Sequence, residues 1–229
     1  MRGHRHGHEG KSLSINRIDA RREARELVCE EVAAVIYGGG TVIFPTDTVY
    51  GIGCDPFRID AIDKIYRAKQ RPDHKPLSLH LATVGEFLEY VPGNAAVTFA
   101  ARRLMPGPVT MIVRRPAFIY DDVSSGLATL GFRVPDDPLC GAILDRVGPL
   151  AATSANTSGQ RPYYGEEDIE ALPAADLLVE NGPTRFGAES TVLDLSAAVP
   201  RVLREGVLSM EYLTERLGPV VRQTAKVRR

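Results

Sequence analysis

The sequence is poor in the side chains that form disulfides or structural zinc sites. It contains three cysteines, an odd number, at widely spaced positions and without a CxxC pair. This spacing excludes a disulfide framework and a zinc site of the usual kind. Cys29 and Cys140 fall within apolar helical patterns, and Cys54 follows a loop glycine. We therefore expect three packed thiols, and a nucleophilic role for Cys54 is disfavoured because no histidine lies near it in the sequence.

The chain also lacks a charge excess and a long apolar run. Its 229 residues carry 28 Lys and Arg against 29 Asp and Glu, a formal net charge of −1. Composition alone therefore does not point to nucleic acid or to an anionic membrane, although it is compatible with a local basic cleft. No apolar stretch approaches the length that spans a bilayer, and no charged start precedes an apolar signal segment. We predict a soluble, cytoplasmic protein without a membrane partner.

The chain divides into a central domain and two polar ends. Residues 1–17 carry three alternating histidines and no periodicity, so we expect a disordered tail. These histidines lack cysteine or carboxylate partners at ligand spacing, which favours an accessory tail over a metal site. Residues 18–218 are predicted to form one α/β domain, and the basic residues 219–229 a frayed C-terminal tail.

Apolar periodicity predicts a mixture of helices and strands within this domain. The predicted helices cover residues 20–36, 59–69, 84–91, 95–104, 139–147, 166–172 and 210–217. The predicted strands cover residues 41–44, 77–81, 109–113, 130–134, 150–153, 177–180, 191–195 and 201–204. Several strands follow each other directly, which disfavours a pure doubly wound parallel sheet. We expect a twisted, mixed sheet with helices packed against it.

The first of four polar clusters is PTDTVYGIG at residues 45–53, directly after a predicted strand. Its threonines, aspartate and glycines make a polar loop with close backbone access for a carboxylate or an amino group. An ordinary strand-to-helix turn is the alternative. Gly51 and Gly53 do not complete GxGxxG, and no Walker sequence occurs in the chain, which disfavours a standard nucleotide-binding fold.

The second cluster is the cation-rich sequence KIYRAKQRPDHKP. Lys64 and Arg67 fit a solvent-facing helix end, where cations complement the helix dipole. Lys69, Arg71 and Lys75 straddle a loop fixed by proline, and an Arg flanked by Lys charges suits a polyphosphate. On residue types alone, both interpretations are open.

The third and fourth clusters add a lone arginine and a run of small polar side chains. Arg133 lies near the end of an apolar strand and needs an anionic partner, which is either a structural carboxylate or a substrate carboxylate. Residues 152–159 hold five small hydrogen-bonding side chains, more than a cap or turn requires, and this surplus suggests a ligand. The sequence offers no Ser-His-Asp set, metal cage or paired catalytic carboxylates. Nucleotidyl transfer by positioning and charge stabilisation fits these groups.

Six phrases taken together, in this order, resemble the YrdC-like threonylcarbamoyl-AMP synthases. They are FPTDTVYGIG, IYRAKQRP, PGPVT, FRVP, TSANTSG and ESTVLDL, within residues 23–217. The resemblance is to the short, single-domain form and implies an α/β twisted open mixed sheet, flanked by helices, around a large basic cavity. It implies a nucleotidyltransferase that forms threonylcarbamoyl-AMP and pyrophosphate from L-threonine, bicarbonate or CO2, and ATP. A downstream threonylcarbamoyl transferase would use the product for tRNA threonylcarbamoyladenosine modification.

The same resemblance assigns the site residues. The family's KxR and SxN pairs match the proposed catalytic residues Lys69, Arg71, Ser154 and Asn156. The positions implied for threonine binding are Thr48, His80, Arg133, Ser154 and Ser190. The positions implied for ATP binding are Lys69, Arg71, Lys75, Thr129, Asn156, Tyr164 and Arg204. Mg2+ is expected with ATP, held through phosphate oxygens rather than protein side chains. Lys75 stands where many members have Asn, so this phosphate contact is expected to differ in kind.

Three alternatives accompany this interpretation. One is a YrdC-like protein of unsettled function, and another is the carbamoyl-transfer module of hydrogenase maturation proteins, which are much larger chains. A third class is a double-stranded RNA-binding protein, for which a basic cavity and weak tRNA binding would suffice. An RNA binder would need neither Ser154, Asn156 nor Arg133, and its affinity would fall steeply with salt.

Overall fold

The computed structural model describes residues 15–92, 94–165 and 169–222. Its helices are α1 (Arg25–Tyr37), α2 (Ile59–Lys69), α3 (Val84–Tyr90), α4 (Ala95–Leu104), α5 (Asp121–Ser124), α6 (Pro138–Val147) and α7 (Met210–Leu217). Its strands are β1 (Asn16–Asp19), β2 (Val42–Phe44), β3 (Gly51–Cys54), β4 (Ser78–His80), β5 (Val109–Arg114), β6 (Thr129–Arg133), β7 (Leu150–Ser154), β8 (Leu177–Glu180), β9 (Thr191–Asp194), β10 (Arg201–Arg204) and β11 (Val221–Arg222). None of the described helices is both long and apolar enough to cross a membrane.

All eleven described strands form one mixed sheet. Their order across the sheet is β1-β8-β2-β3-β7-β4-β6-β5-β9-β10-β11. Pairs such as β4 with β6 are parallel, whereas β3 with β7 and β5 with β6 are antiparallel. The prediction of a mixed α/β sheet flanked by helices is therefore confirmed, and a purely parallel sheet is excluded.

Helices pack on both faces of this sheet. Side chains alternate along a strand, so Val42 and Ile43 of β2 point to opposite faces and belong to different apolar cores. The core that contains Val42 includes Val32 of α1 and Ile143 of α6. The core that contains Ile43 is larger and includes residues of α2, α3, α4 and α7. The α1–α6 pair therefore covers the half of one face that is formed by β8, β2, β3 and β7.

The same face continues across the other half of the sheet, where it becomes the floor of a cleft. Ala152 of β7 pairs with Ser78 of β4, which pairs with Gly131 of β6, which pairs with Ile112 of β5. Residues that pair across a sheet share a face, and all four line the cleft. A Cβ on Gly131 would approach Ser78 Oγ to 2.8 Å, so glycine keeps this floor low.

Most predicted elements are confirmed, several with the predicted bounds. Helices α2, α4 and α7 and strands β8 and β10 match residue for residue. The predicted first helix was too long at its start: Ala24 is extended, and the residues that precede the predicted start pair with β8 as strand β1.

Other differences concern elements that tertiary pairing creates. Gly51–Cys54, predicted as part of a loop, is a buried strand because β2 and β7 pair with it on either side. The short helix α5 was not predicted. Strand β1 overlaps the predicted N-terminal tail, and strand β11 overlaps the predicted C-terminal one. Residues 1–14 and 223–229 of those tails lie outside the described residues. Of the predicted helix 166–172, residues 166–168 also lie outside, and Ile169–Ala171 forms a 3-10 turn.

The three cysteines are free and buried, as predicted. Cys54 and Cys140 are fully inaccessible, and Cys29 is nearly so. Burial raises the pKa of the Cys54 thiol to about 12. A thiolate there is strongly disfavoured near neutral pH, which agrees with a packing role.

Candidate functional site

The cleft has a volume of about 410 Å³ and lies on the uncovered half of the sheet. Strands β4, β5, β6, β7 and β9 form its floor, and the loops after β2, α2 and β8 form its rim. Among the described residues, four cations line it and one carboxylate, Glu189, does so. The cations are Arg71, Lys75, Arg133 and Arg204. The cleft is therefore suited to an anionic ligand.

Lys69 is not among the residues that line the cleft. Its side chain ends α2 and is almost fully buried. Its ammonium donates to the backbone carbonyl oxygens of Ser154 and Asn156 and lies 3.4 Å from Asn156 Oδ1. Burial, together with the positive charge of the neighbouring Arg71, lowers the pKa of Lys69 to about 7. In this geometry Lys69 supports the loop after β7. Its side chain is not part of the cleft lining, and its predicted phosphate contact stays a prediction.

Ser154 and Asn156 form a compact polar turn at the end of β7. Ser154 Oγ lies 2.5 Å from Asn156 Oδ1, to which it donates. The Asn156 amide nitrogen donates to the carbonyl oxygens of Thr157 at 2.9 Å and Gln160 at 2.7 Å. Ser154 lines the cleft, whereas Asn156 lies behind it and holds the turn. The surplus of small polar groups predicted here thus serves partly to fix the loop itself.

Arg71 lies on the cleft wall and also shapes the cation-rich loop after α2. Its Nε donates to the Lys75 carbonyl oxygen at 3.0 Å, and its Nη2 donates to the Pro76 carbonyl oxygen at 2.6 Å. The Tyr66 hydroxyl donates to the same Lys75 carbonyl at 2.8 Å. Burial lowers the pKa of Arg71, which nevertheless stays a cation at all ordinary pH values. These bonds fix the backbone of the loop from which Arg71 and Lys75 both line the cleft.

Arg133 has a protein carboxylate as its partner. Its Nη2 donates to Asp47 Oδ1 at 2.5 Å, and both side chains are almost completely inaccessible. Burial lowers the pKa of Arg133, and the Asp47 charge opposes that shift. The structural-carboxylate alternative for Arg133 is thus present in the structure, while the residue also lines the cleft. Asp47 comes from the PTDTVYGIG cluster, 86 residues earlier in the chain.

His80 lies next to Arg133, its pairing partner across β4 and β6. It is buried, lines the cleft and packs edge-on against Phe44 with ring centroids 6.1 Å apart. Burial, together with the positive charge of Arg133, lowers its pKa to about 3. His80 is therefore a neutral imidazole near pH 7, able to hydrogen-bond without adding charge.

The hydroxyl on the cleft wall near these residues belongs to Thr46 and not to Thr48. Thr48 is fully buried, and its Oγ1 lies 3.1 Å from Thr46 Oγ1. Thr46 Oγ1 in turn donates to the Val49 carbonyl oxygen at 2.7 Å. Thr48 is therefore not part of the cleft lining, because its loop folds into a tight hydroxyl-bonded turn, and its predicted threonine contact stays a prediction.

Ser190 and Arg204 close the opposite side of the cleft. Ser190 Oγ lies 2.9 Å from Thr110 Oγ1, and Arg204 Nη2 donates to the Ser190 carbonyl oxygen at 2.9 Å. Arg204 Nη1 also pairs with Glu189, the carboxylate of the lining. This arrangement anchors one cation at the rim facing Arg71 and Lys75.

The predicted site residues therefore fall into two groups. Those that line the cleft are Arg71, Lys75, His80, Arg133, Ser154, Ser190 and Arg204. Those outside its lining are Thr48, Lys69, Thr129, Asn156 and Tyr164. Thr129 shares the face of β6 with Gly131 and Arg133 but lies at the far end of the strand.

The lining also includes polar residues that were not predicted as site residues, among them Thr46, Thr110 and Glu189. Each of these three belongs to or adjoins a phrase that was recognised in the sequence, namely PTDTVYGIG, PGPVT or ESTVLDL. Their position within or beside a recognised sequence phrase could thus have indicated them as site residues. Within the described part of the chain, no three His, Cys, Asp or Glu side chains are grouped as a metal site.

Comparisons with known proteins show which sequences this chain resembles. A family model named Sua5_yciO_yrdC, described as telomere recombination, matches residues 34–206. A threonylcarbamoyl-AMP synthase of Bacillus subtilis (strain 168) is 35% identical over 83% of this chain and 56% of its own length. A putative threonylcarbamoyl-AMP synthase of Mycobacterium tuberculosis is 32% identical over 87% of this chain and 93% of its own length.

A solved structure extends the likeness to three dimensions. The crystal structure of P. abyssi Sua5 complexed with L-threonine has a TM-score of 0.80 and is 29% identical. It covers 92% of this chain, and the match spans 62% of that protein. This chain thus spans less than two thirds of the Bacillus and Pyrococcus proteins it matches, whereas it spans nearly all of the mycobacterial one.

Proposed function

This chain belongs to the Sua5/YciO/YrdC family, and we therefore propose that it is an L-threonylcarbamoyladenylate synthase, a nucleotidyltransferase. It forms threonylcarbamoyl-AMP and pyrophosphate from L-threonine, bicarbonate or CO2, and ATP. The observation that carries the proposal is the cleft itself, which combines a buried arginine at its floor with cations on two facing rims. The names of the relatives support the choice of reaction.

The floor of the cleft suits the amino acid. Arg133 offers a guanidinium for the threonine carboxylate, beside the neutral imidazole of His80. The hydroxyls of Thr46 and Ser190 also line the cleft, where they can hydrogen-bond to a small substrate. The similar P. abyssi protein was solved as a complex with L-threonine, which supports this assignment.

The rims suit the phosphates. Arg71 and Lys75 present their charges from one loop, and Arg204 presents its charge from β10 across the cleft. Cations fixed before the reaction stabilise charge that develops on a leaving group without further reorganisation. We assign these three residues to the ATP phosphates, with Lys69 supporting the loop that carries Ser154.

The reaction then needs positioning more than side-chain acid–base chemistry. The threonine amine adds to CO2 and loses a proton, which gives a carbamate. A carbamate oxygen attacks the α-phosphorus of ATP, and the bond from this phosphorus to the bridging oxygen breaks. Pyrophosphate leaves with that electron pair, and the rim cations balance its charge. The product is a mixed anhydride between the carbamate and AMP.

Mg2+ is proposed to enter with ATP. The cleft lining supplies one carboxylate, Glu189, so the ion would be held mainly by phosphate oxygens and would neutralise part of their charge. The product is proposed to pass to a threonylcarbamoyl transferase that modifies tRNA, in the cytoplasm. Weak tRNA or double-stranded RNA binding stays a prediction for the basic cleft.

Pyrophosphate release from Mg2+-ATP tests the proposal. Release is expected to require both L-threonine and bicarbonate, and omission of either should reduce it to background. Arg71→Ala is expected to lower turnover at least about tenfold, because the leaving group loses a charged partner. Pyrophosphate release without threonine would contradict the assigned reaction. Unchanged release by the Arg71 variant would contradict the phosphate role assigned to Arg71.

A further inference from the structure

The two oxygens of the buried Asp47 carboxylate have unequal surroundings. Oδ1 accepts the hydrogen bond from Arg133 Nη2, whereas Oδ2 has no hydrogen-bond partner within the described residues. Arg133 Nε is likewise buried and without such a partner. A second cation lies close by, since Arg185 Nη2 is 3.8 Å from Asp47 Oδ2. That distance is an ion-pair contact but too long for a hydrogen bond.

Arg185 reaches this position from the solvent side. Its side chain is about half exposed, pairs with Asp136 Oδ2 at 2.8 Å and packs over the Phe186 ring at 4.6 Å. Four side chains of alternating charge therefore form a row of ion pairs from the cleft floor to the surface, in the order Arg133, Asp47, Arg185, Asp136. These two positive and two negative charges cancel as long as no ligand is bound.

The backbone around Arg185 is fixed against the loop that carries Asp47. The Phe186 backbone N–H donates to the Asp47 carbonyl oxygen at 3.0 Å, and the Thr184 hydroxyl donates to the Thr48 carbonyl oxygen at 2.6 Å. The Tyr50 hydroxyl donates to the Gly182 carbonyl oxygen at 2.8 Å. Only the side chain of Arg185 must therefore move for its guanidinium to approach Asp47.

A substrate carboxylate at Arg133 would add an unpaired negative charge to this row of ion pairs. The buried guanidinium would then face two anions, and Asp47 cannot turn to solvent because it is fully enclosed. A buried carboxylate that loses its partner is strongly unfavourable. A movement of the Arg185 guanidinium by about 1 Å would bring Nη2 within hydrogen-bond distance of the unpartnered Oδ2.

We propose that Arg185 is a positioning residue for the amino-acid substrate: it binds Asp47 when Arg133 turns to the substrate carboxylate. The inference rests on the proposed function, because it needs a carboxylate ligand at Arg133. Arg185, a partly exposed arginine, would then affect the affinity for the amino acid and not the affinity for ATP.

Two substitutions at Arg185 and one matched control test this role. Arg185→Met removes the charge, Arg185→Lys keeps it, and Arg102→Met removes an exposed arginine on α4. Threonine dissociation constants are measured by calorimetry, together with KM for threonine, KM for ATP and kcat. Arg185→Met is expected to raise the dissociation constant and KM for threonine about tenfold, the effect of losing one charged hydrogen bond. KM for ATP and kcat should change less than about twofold, and Arg185→Lys should restore most of the affinity.

The outcomes separate this inference from the proposed function. If the unmodified protein binds no threonine, the proposed function fails. If it binds threonine and Arg185→Met behaves like Arg102→Met, the positioning role is overturned. Equal losses of threonine and ATP affinity, or no recovery with Arg185→Lys, would also overturn it. In an Asp47→Asn protein, the further change Arg185→Met should add less than about a twofold effect, because Arg185 acts through that carboxylate.

Discussion

Lys69 donates a hydrogen bond to the backbone carbonyl oxygen of Asn156, a residue 87 positions later in the chain. It donates to the Ser154 carbonyl as well, so the end of α2 and the turn after β7 form one polar unit. The Ser158 backbone N–H returns a bond of 2.9 Å to the Lys69 carbonyl oxygen. The KxR and SxN pairs are thus joined through backbone groups, and the position of Ser154 depends on Lys69.

Replacing Lys69 by Met is expected to destabilise the protein and to reduce activity. Two partly buried carbonyl groups would lose their donor, which costs about 1–3 kcal/mol of unfolding free energy. The turn that carries Ser154 would loosen, so we expect pyrophosphate release to fall at least about tenfold. Urea denaturation and the release assay measure the two effects.

Lys64→Met is the matched control for this change. Lys64 Nζ donates to the Gly39 carbonyl oxygen at 2.8 Å, away from the cleft. We expect a smaller loss of stability, about 1 kcal/mol, and unchanged turnover at saturating substrate. Equal losses of activity in both variants would argue against a specific link between Lys69 and the site.

The buried pair of Arg133 and Asp47 should show strong energetic coupling. Arg133→Met and Asp47→Asn each leave a buried group without its partner, at an expected cost of about 3–5 kcal/mol. The double variant removes both charges and should cost less than the sum of the single changes, by at least about 1 kcal/mol. Chemical denaturation of all four proteins gives the coupling energy. Additive costs would show that the two side chains do not interact in solution.

The stability of the protein should fall in mild acid because of His80. Its pKa is about 3 in the fold and 6.5 as the ordinary value, so the unfolded chain takes up a proton that the folded chain does not. This contribution is present above pH 6.5 and is lost as the pH falls towards 3, by up to about 1.4 kcal/mol per pH unit. His80→Gln should flatten this part of the profile relative to the unmodified protein.

His74→Gln is the control for the acid profile, because His74 is an exposed histidine in the loop after α2. The same pH series of unfolding free energies is measured on this variant and on His80→Gln, so that the two histidines are compared directly. A His80→Gln profile parallel to that of the unmodified protein would show that His80 becomes protonated within the fold.

The carboxylate of Glu189 should weaken the binding of polyphosphates. It pairs with Arg204 on the rim of the cleft, where it offsets one of the four lining cations. Glu189→Gln is expected to tighten pyrophosphate binding by about three- to tenfold at low salt, and less at high salt because exposed charges are screened. Calorimetry at two ionic strengths measures this.

Glu205→Gln is the control, since Glu205 also forms an ion pair, with Arg222, outside the cleft lining. It should leave pyrophosphate affinity unchanged. Weaker pyrophosphate binding by the Glu189 variant would mean that Glu189 orients Arg204 and that the orientation outweighs the added positive charge.

Local pattern was sufficient for much of the fold. Helix α2 has its apolar residues on one face and a run of cations at its end, and its predicted bounds agree with the structure. Strand β3 was missed because its glycines carry no strand signal, and its neighbours β2 and β7 supply the pairing. Strand β1 was missed because its four residues are too short a pattern to separate from the polar tail, while its pairing with β8 is a long-range contact.

The site shows the same division between residue type and placement. The sequence motifs indicated Arg71, His80, Arg133 and Ser190, which all line the cleft. The register of the strands decides which polar side chains face the cleft. His80, for example, pairs with Leu150 on one neighbouring strand and with Arg133 on the other. The ion pair between Arg133 and Asp47 could not be predicted from local sequence, because it joins a strand residue to a loop that is distant in the sequence.

The outermost strands, β1 and β11, lie at opposite edges of the sheet. Ten inter-strand spacings separate them, about 48 Å measured along the sheet. A dye attached beside β11 would stand one strand away from Arg204 and its cleft, whereas a dye beside β1 would be far from any bound nucleotide. Fluorescence at the first position should therefore respond to ligand, and the second position offers an internal reference on the same molecule.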